Sequence, residues 1–250
     1  AIESHGFKTK LFEADRDLPQ KLVNSGCALM FNIAEGINGR GREAQVPALL
    51  NMMGIPFTGS DETTLSIALD KSLTNRILRT YRVRSPKQNF LDRNKNYETL
   101  GLRFPVIVKP NAEGSGKGIC DYSVAENKDT LHKLAKNIST DYGIDFIAEE
   151  YINGREFTVA ILGNEDDLQI FPPMEIIFKN RSQNGYNIYG YEVKKNFQRH
   201  IEYRCPAKIP DSLSKEMTDT AKKIFKGSTA AIMQEWISGV QKTTKPTLSK

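Results

Sequence analysis

The chain has 250 residues, enough for an enzyme of one large or several small lobes, and its formal net charge of +5 comes from scattered basic residues. This composition argues against a nucleic-acid partner, and no apolar run approaches the ~18 residues of a membrane span, so we expect no membrane association. The three cysteines are far apart and lack CxxC spacing, which argues against a zinc site or disulfide scaffold and favours a cytoplasmic protein with free thiols.

Residues 1–73 predict a first lobe in which strands and helices alternate. AIESHGFKTKLFEAD is typical of a helix end followed by a strand, and CALMFNIAEG of a buried parallel strand. AQVPALLNMMG has helical spacing, and residues 61–81 predict one long amphipathic helix capped by Ser60 or Asp61. The rhythm predicts a small parallel sheet covered by helices. Because the chain begins inside a predicted helix, we expect the sequence to be incomplete at this end.

From residue 105 the pattern predicts antiparallel strands. PVIVKP is followed by a glycine-rich loop, a helix near residues 127–140, and the strands DFIAEEYI and EFTVAILGN. LQIFPPMEIIF and the segment around IYGYEVK predict further strands. These patterns predict two α+β lobes, at residues 74–148 and 149–250.

The glycine-rich loop lies in VIVKPNAEGSGKGI, where Gly114, Gly116 and Gly118 alternate. A Walker A loop needs an earlier glycine and a Ser or Thr after the lysine, and both are absent. A dinucleotide fingerprint has the spacing GxGxxG and begins a helix, whereas this GxGxG loop leads into another strand. The pattern favours a flap over nucleotide phosphates, with Lys109 on the preceding strand reaching the phosphate oxygens. An ordinary tight turn is the alternative.

The motifs FPVIVKPNAEGSGKGI and FIAEEYINGREFTVAILGN together resemble the ATP-grasp superfamily. VPALLNMMGIPFTGSDETTLSIALDKSLTNRIL resembles its D-alanine–D-alanine ligase family, and IYGYEVKKNF and YRCPAKIP extend the likeness to about residue 227. The resemblance implies an ATP-grasp fold, α/β and α+β, with a small parallel-sheet lobe and two α+β lobes that clamp ATP. It implies a ligase of peptidoglycan biosynthesis that activates the carboxylate of a small amino acid as an acylphosphate, which an amine attacks. It leaves open whether the protein is a homodimer.

The resemblance assigns the ATP phosphates to three lysines and the flap. Lys71, in ALDK, meets the phosphates from the far side of the cleft, and Lys109 contacts the α- and β-phosphates. Lys194, in YEVK, matches the family lysine on the β- and γ-phosphates. Gly114 and Gly116 belong to the flap that covers them. A surface role is the alternative for Lys71.

The same resemblance assigns the base and the ribose to the end of the predicted strand DFIAEEYI and to the motif GREFTV that follows it. Glu149, Glu150, Tyr151 and Ile152 match the interlobe hinge, where a carboxylate accepts the adenine amino group and backbone groups complete the polar edge of the base. Glu156, in GREFTV, matches the carboxylate that binds the ribose hydroxyls.

Two residues are implied on the substrate side. Ser115 matches a flap serine that helps to hold and orient substrate. Glu43 lies near a helix start where the family often has an acid that anchors the amino group of the first substrate. Stabilisation of the helix dipole is the alternative for Glu43.

The sequence departs from the family in two places. Lys195 stands where the family usually has a tyrosine, which leaves the acceptor amino acid undecided. The family binds Mg²⁺ through Asp, Glu and Asn side chains on its last strands, yet beyond residue 227 this chain has a single acid, Glu235. We therefore expect Mg²⁺ for the family without ligands in this chain, and incompleteness at this end too. A ligase for other amino acids and a non-catalytic ATP-binding protein remain alternatives.

The unusual tail is the basis of one hypothesis about the gene. Starting at the last base of the Thr229 codon, degenerate codons permit CRDYARMDF in the overlapping frame, which supplies the Arg and Asp that the family has here. We hypothesise that the tail is a frameshift product that packs poorly on the third lobe, so that the chain as written binds ATP without turnover. Sequencing the coding DNA tests this, because a stop codon in that frame would exclude it.

Overall fold

The computed structural model describes residues 2–92, 101–142, 145–164, 167–180, 184–227 and 237–240. Its helices are α1 (Leu18–Val23), α2 (Gln45–Met52), α3 (Glu62–Leu69), α4 (Lys71–Thr80), α5 (Lys128–Tyr142), α6 (Tyr191–Lys195), α7 (Phe197–His200) and α8 (Asp211–Gly227). Its strands are β1 (Gln88–Leu91), β2 (Val106–Pro110), β3 (Val124–Ala125), β4 (Phe146–Glu150), β5 (Arg155–Thr158), β6 (Ile161–Asn164), β7 (Asp167–Ile170), β8 (Met174–Phe178), β9 (Ile201–Arg204) and β10 (Ile237–Val240). Of the helices described, none has the length and apolar character that crossing a bilayer requires.

The first lobe is built on helices α1 and α2. Their buried side chains form one cluster with residues of the extended segments before and after them: Leu18, Leu22, Val46, Leu50, Phe12, Met30, Ala34, Ile55 and Phe57. Strand pairing in the described part of this lobe consists of one parallel bridge between Met30 and Phe57. In the described residues, the predicted parallel sheet is thus reduced to this bridge. The segment that contains Met30 runs extended, with Met30 and Ala34 packed on the cluster and with Phe31 and Ile33 exposed.

The long helix predicted over residues 61–81 is interrupted. Asp61, one of the two residues predicted as the cap, accepts a hydrogen bond from the Thr64 N–H and caps α3. Asp70 then adopts an extended conformation (φ −85°, ψ 97°), and its carboxylate accepts from the Leu73 N–H. This second N-cap starts α4 afresh, since a capping carboxylate satisfies helix donors that otherwise lack partners. The interruption places Lys71 at the first position of α4.

The second lobe contains a sheet with strand order β1-β4-β2-β3, all antiparallel. Successive side chains of a strand point to opposite faces. Val106, Val108, Phe146 and Ala148 therefore pack with Leu131 of α5 in a buried core. The intervening residues of β2 and β4 face the other way, and these include the residues of the candidate site.

The third lobe contains a sheet with strand order β10-β5-β8-β9 and a separate β6–β7 hairpin. Phe157 and Val159 pack against Met217 and Ala221 of α8. The segment around IYGYEVK, predicted as a strand, forms α6 instead, beginning after an extended Gly190 with the helix-favouring residues Glu, Lys and Lys in its turns. In the tail, β10 pairs with β5, and residues 228–236 and 241–250 lie outside the described residues. The three cysteines are free, as predicted.

Replacing Phe146 tests the core of the second lobe. Phe146 is fully buried between the sheet and α5, so Phe146→Ala should lower the free energy of unfolding by about 3–5 kcal/mol through lost burial and a cavity. Urea unfolding followed by circular dichroism measures the change. Phe90→Ala is the matched control on the neighbouring strand, since Phe90 is 47% exposed and its loss should cost less than about 1 kcal/mol. Equal losses in the two variants would contradict this description of the core.

Candidate active site

An ion pair between strands β2 and β4 forms the centre of the candidate site. Lys109 Nζ lies 2.6 Å from Glu149 Oε1, and the side chains are 20% and 10% exposed. In the strand register Glu149 is opposite Ile107, so Lys109 and Glu149 are diagonal neighbours on one face of the sheet. Two residues that the sequence assigned to different parts of a nucleotide are therefore bonded to each other in this structure.

Lys71 joins this pair from the first turn of α4. Its ammonium donates a 2.6 Å hydrogen bond to the Glu113 carbonyl. Burial, and after it the charge of Lys109, lower the pKa of Lys71 to about 8, while the carboxylates of Glu113, Glu149 and Glu43 act in the opposite direction. Two lysines thus lie close together with little solvent, which is an arrangement that a polyphosphate anion would stabilise.

Residues 111–119 form the flap, which is anchored at its base by Arg42. The buried guanidinium donates to the Ala112 carbonyl at 2.8 Å and to both carboxylate oxygens of Glu113 at 3.1 and 3.4 Å. The backbone is anchored as well, because the Asn111 carbonyl accepts from the Lys71 N–H. The flap therefore leaves the sheet at a fixed place beside the two lysines.

The flap glycines are required by close contacts. A Cβ added at Gly114 would lie 2.6 Å from Glu43 Oε1, and one at Gly116, where φ is +73°, would lie 3.0 Å from the Tyr191 backbone nitrogen. Gly114 thus brings the flap against the candidate substrate acid, and Gly116 brings it against the start of α6. Burial raises the pKa of Glu43, which makes its carboxylate a better partner for a bound ammonium group than an exposed acid would be.

Ser115 and Lys117, at the tip of the flap, are both bonded to Glu35. Ser115 Oγ donates to Glu35 Oε1 at 2.9 Å, and Lys117 Nζ donates to Glu35 Oε2 at 2.7 Å. Glu35 is a contact of the flap that was not predicted from the sequence. Its one signal was an acid at the end of the apolar segment CALMFNIAEG, followed by glycine.

The hinge segment, residues 149–152, directs its side chains to different places. The Glu150 carboxylate accepts from the Arg103 N–H at 2.9 Å and from its guanidinium at 3.3 Å, and the backbone hydrogen bond is the first cause of its lowered pKa. The Tyr151 N–H donates to the Pro105 carbonyl at 3.0 Å, and its hydroxyl bonds both backbone groups of Asn187. Ile152 is half-buried just beyond the strand. Glu150 therefore lies on the opposite face from Glu149, and Tyr151 links the second lobe to the third.

Glu156 is half-buried on β5 in the third lobe. Burial raises the pKa of the Tyr151 hydroxyl, and the negative charge of Glu156 contributes to the same shift. Glu156 therefore lies near the hinge segment, on the side where the third lobe meets the second. Its role toward ribose stays a prediction.

Lys194 lies on α6, a helix that begins next to the flap. Its ammonium lies 5.0 Å from the ring centroid of Tyr189, a cation–π contact. A Cβ added at Gly190 would lie 2.4 Å from the Ile119 carbonyl oxygen, so the turn before α6 packs directly on the end of the flap. Lys195, the departure from the family pattern, is exposed beside it.

The described residues of the chain do not fit a Mg²⁺ site. Within the described residues, no group of three or more His, Cys, Asp or Glu side chains is arranged to hold a metal ion. The sequence after residue 227 adds only Glu235.

Comparison with known proteins places the chain in one family. The family model D-ala D-ala ligase C-terminus matches residues 78–232. The chain is 32% identical over 235 residues to the protein y4sG of Sinorhizobium fredii, covering 90% of the chain and 67% of that protein. It is 32% identical over 229 residues to a D-alanine–D-alanine ligase of Bordetella petrii, covering 90% and 66%. The chain thus spans about two thirds of the length of these relatives.

Solved structures share the fold. A D-alanine–D-alanine ligase from Bacillus anthracis superposes with a TM-score of 0.67 at 21% identity, covering 92% of this chain and 72% of that one. The VanG D-Ala:D-Ser ligase from Enterococcus faecalis superposes with a TM-score of 0.62 at 21% identity, covering 82% and 57%. The ATP-grasp fold predicted from the sequence is confirmed.

The low pKa of Lys71 predicts a dependence of stability on pH. Below about pH 8 Lys71 is protonated in the folded and the unfolded chain, and burial of the charge costs stability. Between about pH 8 and the ordinary lysine value of 10.5 the unfolded chain keeps the proton that the folded protein loses, so the contribution of Lys71 to the free energy of unfolding rises with pH.

Lys71→Met removes this titration and serves as the reference. Urea unfolding of both proteins at steps from about pH 7 to 10 should show the wild type gaining stability relative to the variant across the window. Stability curves that stay parallel would show that Lys71 titrates normally.

Proposed function

Because the chain belongs to the D-alanine–D-alanine ligase family, we propose that it is an ATP-dependent ligase that joins the carboxylate of one small amino acid to the amine of another. The observation that carries the proposal is the pairing of Lys71 and Lys109 beneath a glycine-rich flap. Relatives and solved structures named D-alanine–D-alanine ligase make D-alanine the first substrate to test.

In this proposal the phosphates of ATP lie between the two lysines and the flap. Lys109 exchanges its bond to Glu149 for phosphate oxygens, and Lys71, whose charge is costly without a counter-ion, is stabilised by the same anion. Lys194 approaches the terminal phosphates from the third lobe. A site of this kind catalyses phosphoryl transfer mainly by positioning and by electrostatic stabilisation.

The nucleoside is proposed to lie toward the hinge segment. Once Lys109 has turned to phosphate, the Glu149 carboxylate is available to accept the adenine amino group. Glu156 would bind the ribose hydroxyls from the third lobe. Backbone groups of residues 150–152 would form the remaining hydrogen bonds to the polar edge of the base. The Tyr151 N–H would keep its hydrogen bond to the Pro105 carbonyl.

The amino acid substrates are proposed to bind on the opposite side of the flap. Glu43 anchors the ammonium of the first amino acid, and Ser115 orients the substrate at the flap. A carboxylate oxygen attacks the γ-phosphorus and ADP leaves, which gives an acylphosphate. The amine of the second amino acid then attacks the acyl carbon, phosphate leaves, and the amine releases a proton. Since the part of the chain that the structure describes does not fit Mg²⁺, no step is assigned to it.

Release of ADP and of phosphate in the presence of ATP and D-alanine tests the proposed function. Turnover that depends on D-alanine supports the dipeptide ligase, and turnover with another amino acid in a substrate screen supports a ligase of different specificity. ATP binding without turnover on any amino acid, both in the chain as written and in a protein restored to the alternative reading frame, would overturn the ligase and leave an ATP-binding protein.

Removal of the strand lysine should weaken nucleotide binding. Lys109→Met should raise the free energy of ATP binding by about 1.5–3 kcal/mol, the range for hydrogen bonds to charged groups. Isothermal calorimetry measures this. Lys179→Met is the control, because Lys179 bonds the Gln198 carbonyl in the third lobe. Unchanged affinity in Lys109→Met would remove Lys109 from the site.

Glu149→Gln tests whether the Glu149 carboxylate recognises adenine. A carboxylate only accepts hydrogen bonds, whereas an amide can also donate to the carbonyl of guanine. We expect the preference for ATP over GTP to fall in a competition assay. Selectivity equal to that of the wild type would mean that Glu149 acts on Lys109 alone.

A further inference from the structure

The tip of the flap is held by a side chain from the first lobe that the proposed reaction does not use. Glu35 lies 80 residues before Ser115 and 82 before Lys117, and each of its carboxylate oxygens accepts from one of them. The ion pair is 2.7 Å long, with both side chains 46% exposed. The contact therefore bridges two lobes rather than stabilising one.

The backbone at this point needs such a contact. Ser115 has φ +55°, in the left-handed region that non-glycine residues seldom occupy. A conformation of this kind persists where its surroundings hold it in place, and it is concentrated at functional sites. Ser115 is the residue with this strained backbone conformation, and the hydrogen bond from its Oγ to Glu35 holds it in place.

The contact at the tip adds to two other contacts that hold the flap. The flap is anchored at its base by Arg42 and packs on the turn before α6 at its far end. Its tip is attached to the first lobe through Glu35. The negative charge of Glu35 also contributes to the raised pKa of Glu43, so this attachment lies beside the acid assigned to the first substrate.

We propose that Glu35 is a positioning residue that latches the flap to the first lobe through Ser115 and Lys117 and thereby slows the release of bound nucleotide. The proposal rests on the proposed function for the identity of that nucleotide. Lys117 contributes an ion pair to the latch, and Ser115 contributes a directional hydrogen bond.

Hydrogen exchange of the flap amides in the unliganded protein tests the latch. Glu35→Gln keeps the shape of the side chain and removes its charge, and we expect flap amides to exchange about threefold faster, a change typical of losing a half-exposed ion pair. Lys117→Met should act similarly. The exchanged pair Glu35→Lys with Lys117→Glu should recover most of the protection, which a general loss of structure would not.

Asp15→Asn is the matched control. The Asp15–Lys21 pair has the same kind of contact, 2.6 Å at 40% and 45% exposure, within the first lobe and away from the flap. Its loss should leave flap exchange unchanged. Flap exchange in Glu35→Gln equal to that of the wild type overturns the proposal.

The dissociation rate of a fluorescent ATP analogue tests the second half of the proposal. Stopped-flow measurement should show faster release from Glu35→Gln by about the same factor as the change in flap exchange. Faster flap exchange with an unchanged dissociation rate would overturn the claim that the latch retains nucleotide. Failure of the wild type to bind the analogue would contradict the proposed function, and the exchange experiment would still decide on the latch.

Discussion

The structure depends on keeping two lysine ammonium groups together in a place with little water. Lys71 and Lys109 repel each other, and burial adds to the cost of each charge. The surrounding residues offset this cost in different ways: Glu149 neutralises Lys109, and the Glu113 carbonyl accepts from Lys71. The free energy held in this arrangement is recovered when an anion binds, because a polyphosphate supplies the counter-charge that the protein provides only in part.

The same requirement accounts for several features of the backbone. The interruption at Asp70 begins a new helix so that Lys71 is at its N-terminus, pointing toward the flap. The alternation of side chains along β2 and β4 places Lys109 and Glu149 on the face opposite the core formed with α5. Local conformation, strand register and charge placement thus all serve one pair of side chains.

Much of this could be predicted from the sequence, because it is encoded locally. The apolar strand ending in Lys109, the alternating glycines and the acidic pair before Tyr151 each carry a recognisable pattern. The break at Asp70 was missed because Asp is compatible with either a helix interior or an N-cap, and the Asn111 carbonyl that accepts from the next residue, Lys71, is 41 residues from Asp70 in the sequence. Glu35 and Arg42 were missed for a similar reason, since their partners in the flap are more than 60 residues distant and no spacing rule connects them. The predicted parallel sheet is a single bridge in the described residues. The pattern of apolar residues indicates which side chains face a core, but it does not determine which strands pair with each other.

Asn111 has a consequence for how the protein can move. Its carbonyl accepts from the Lys71 N–H and its side-chain oxygen from the Ser72 N–H, so the first turn of α4 is fastened to the end of β2 through both backbone and side chain. Helix α4 and the central strand are thereby joined as one rigid body that carries both lysines. Because α4 and β2 are joined in this way, the spacing of Lys71 and Lys109 is set by the contacts of Asn111 and not by the flap or the third lobe. On the proposed function, the phosphates of ATP would therefore meet two charges that are already held in place.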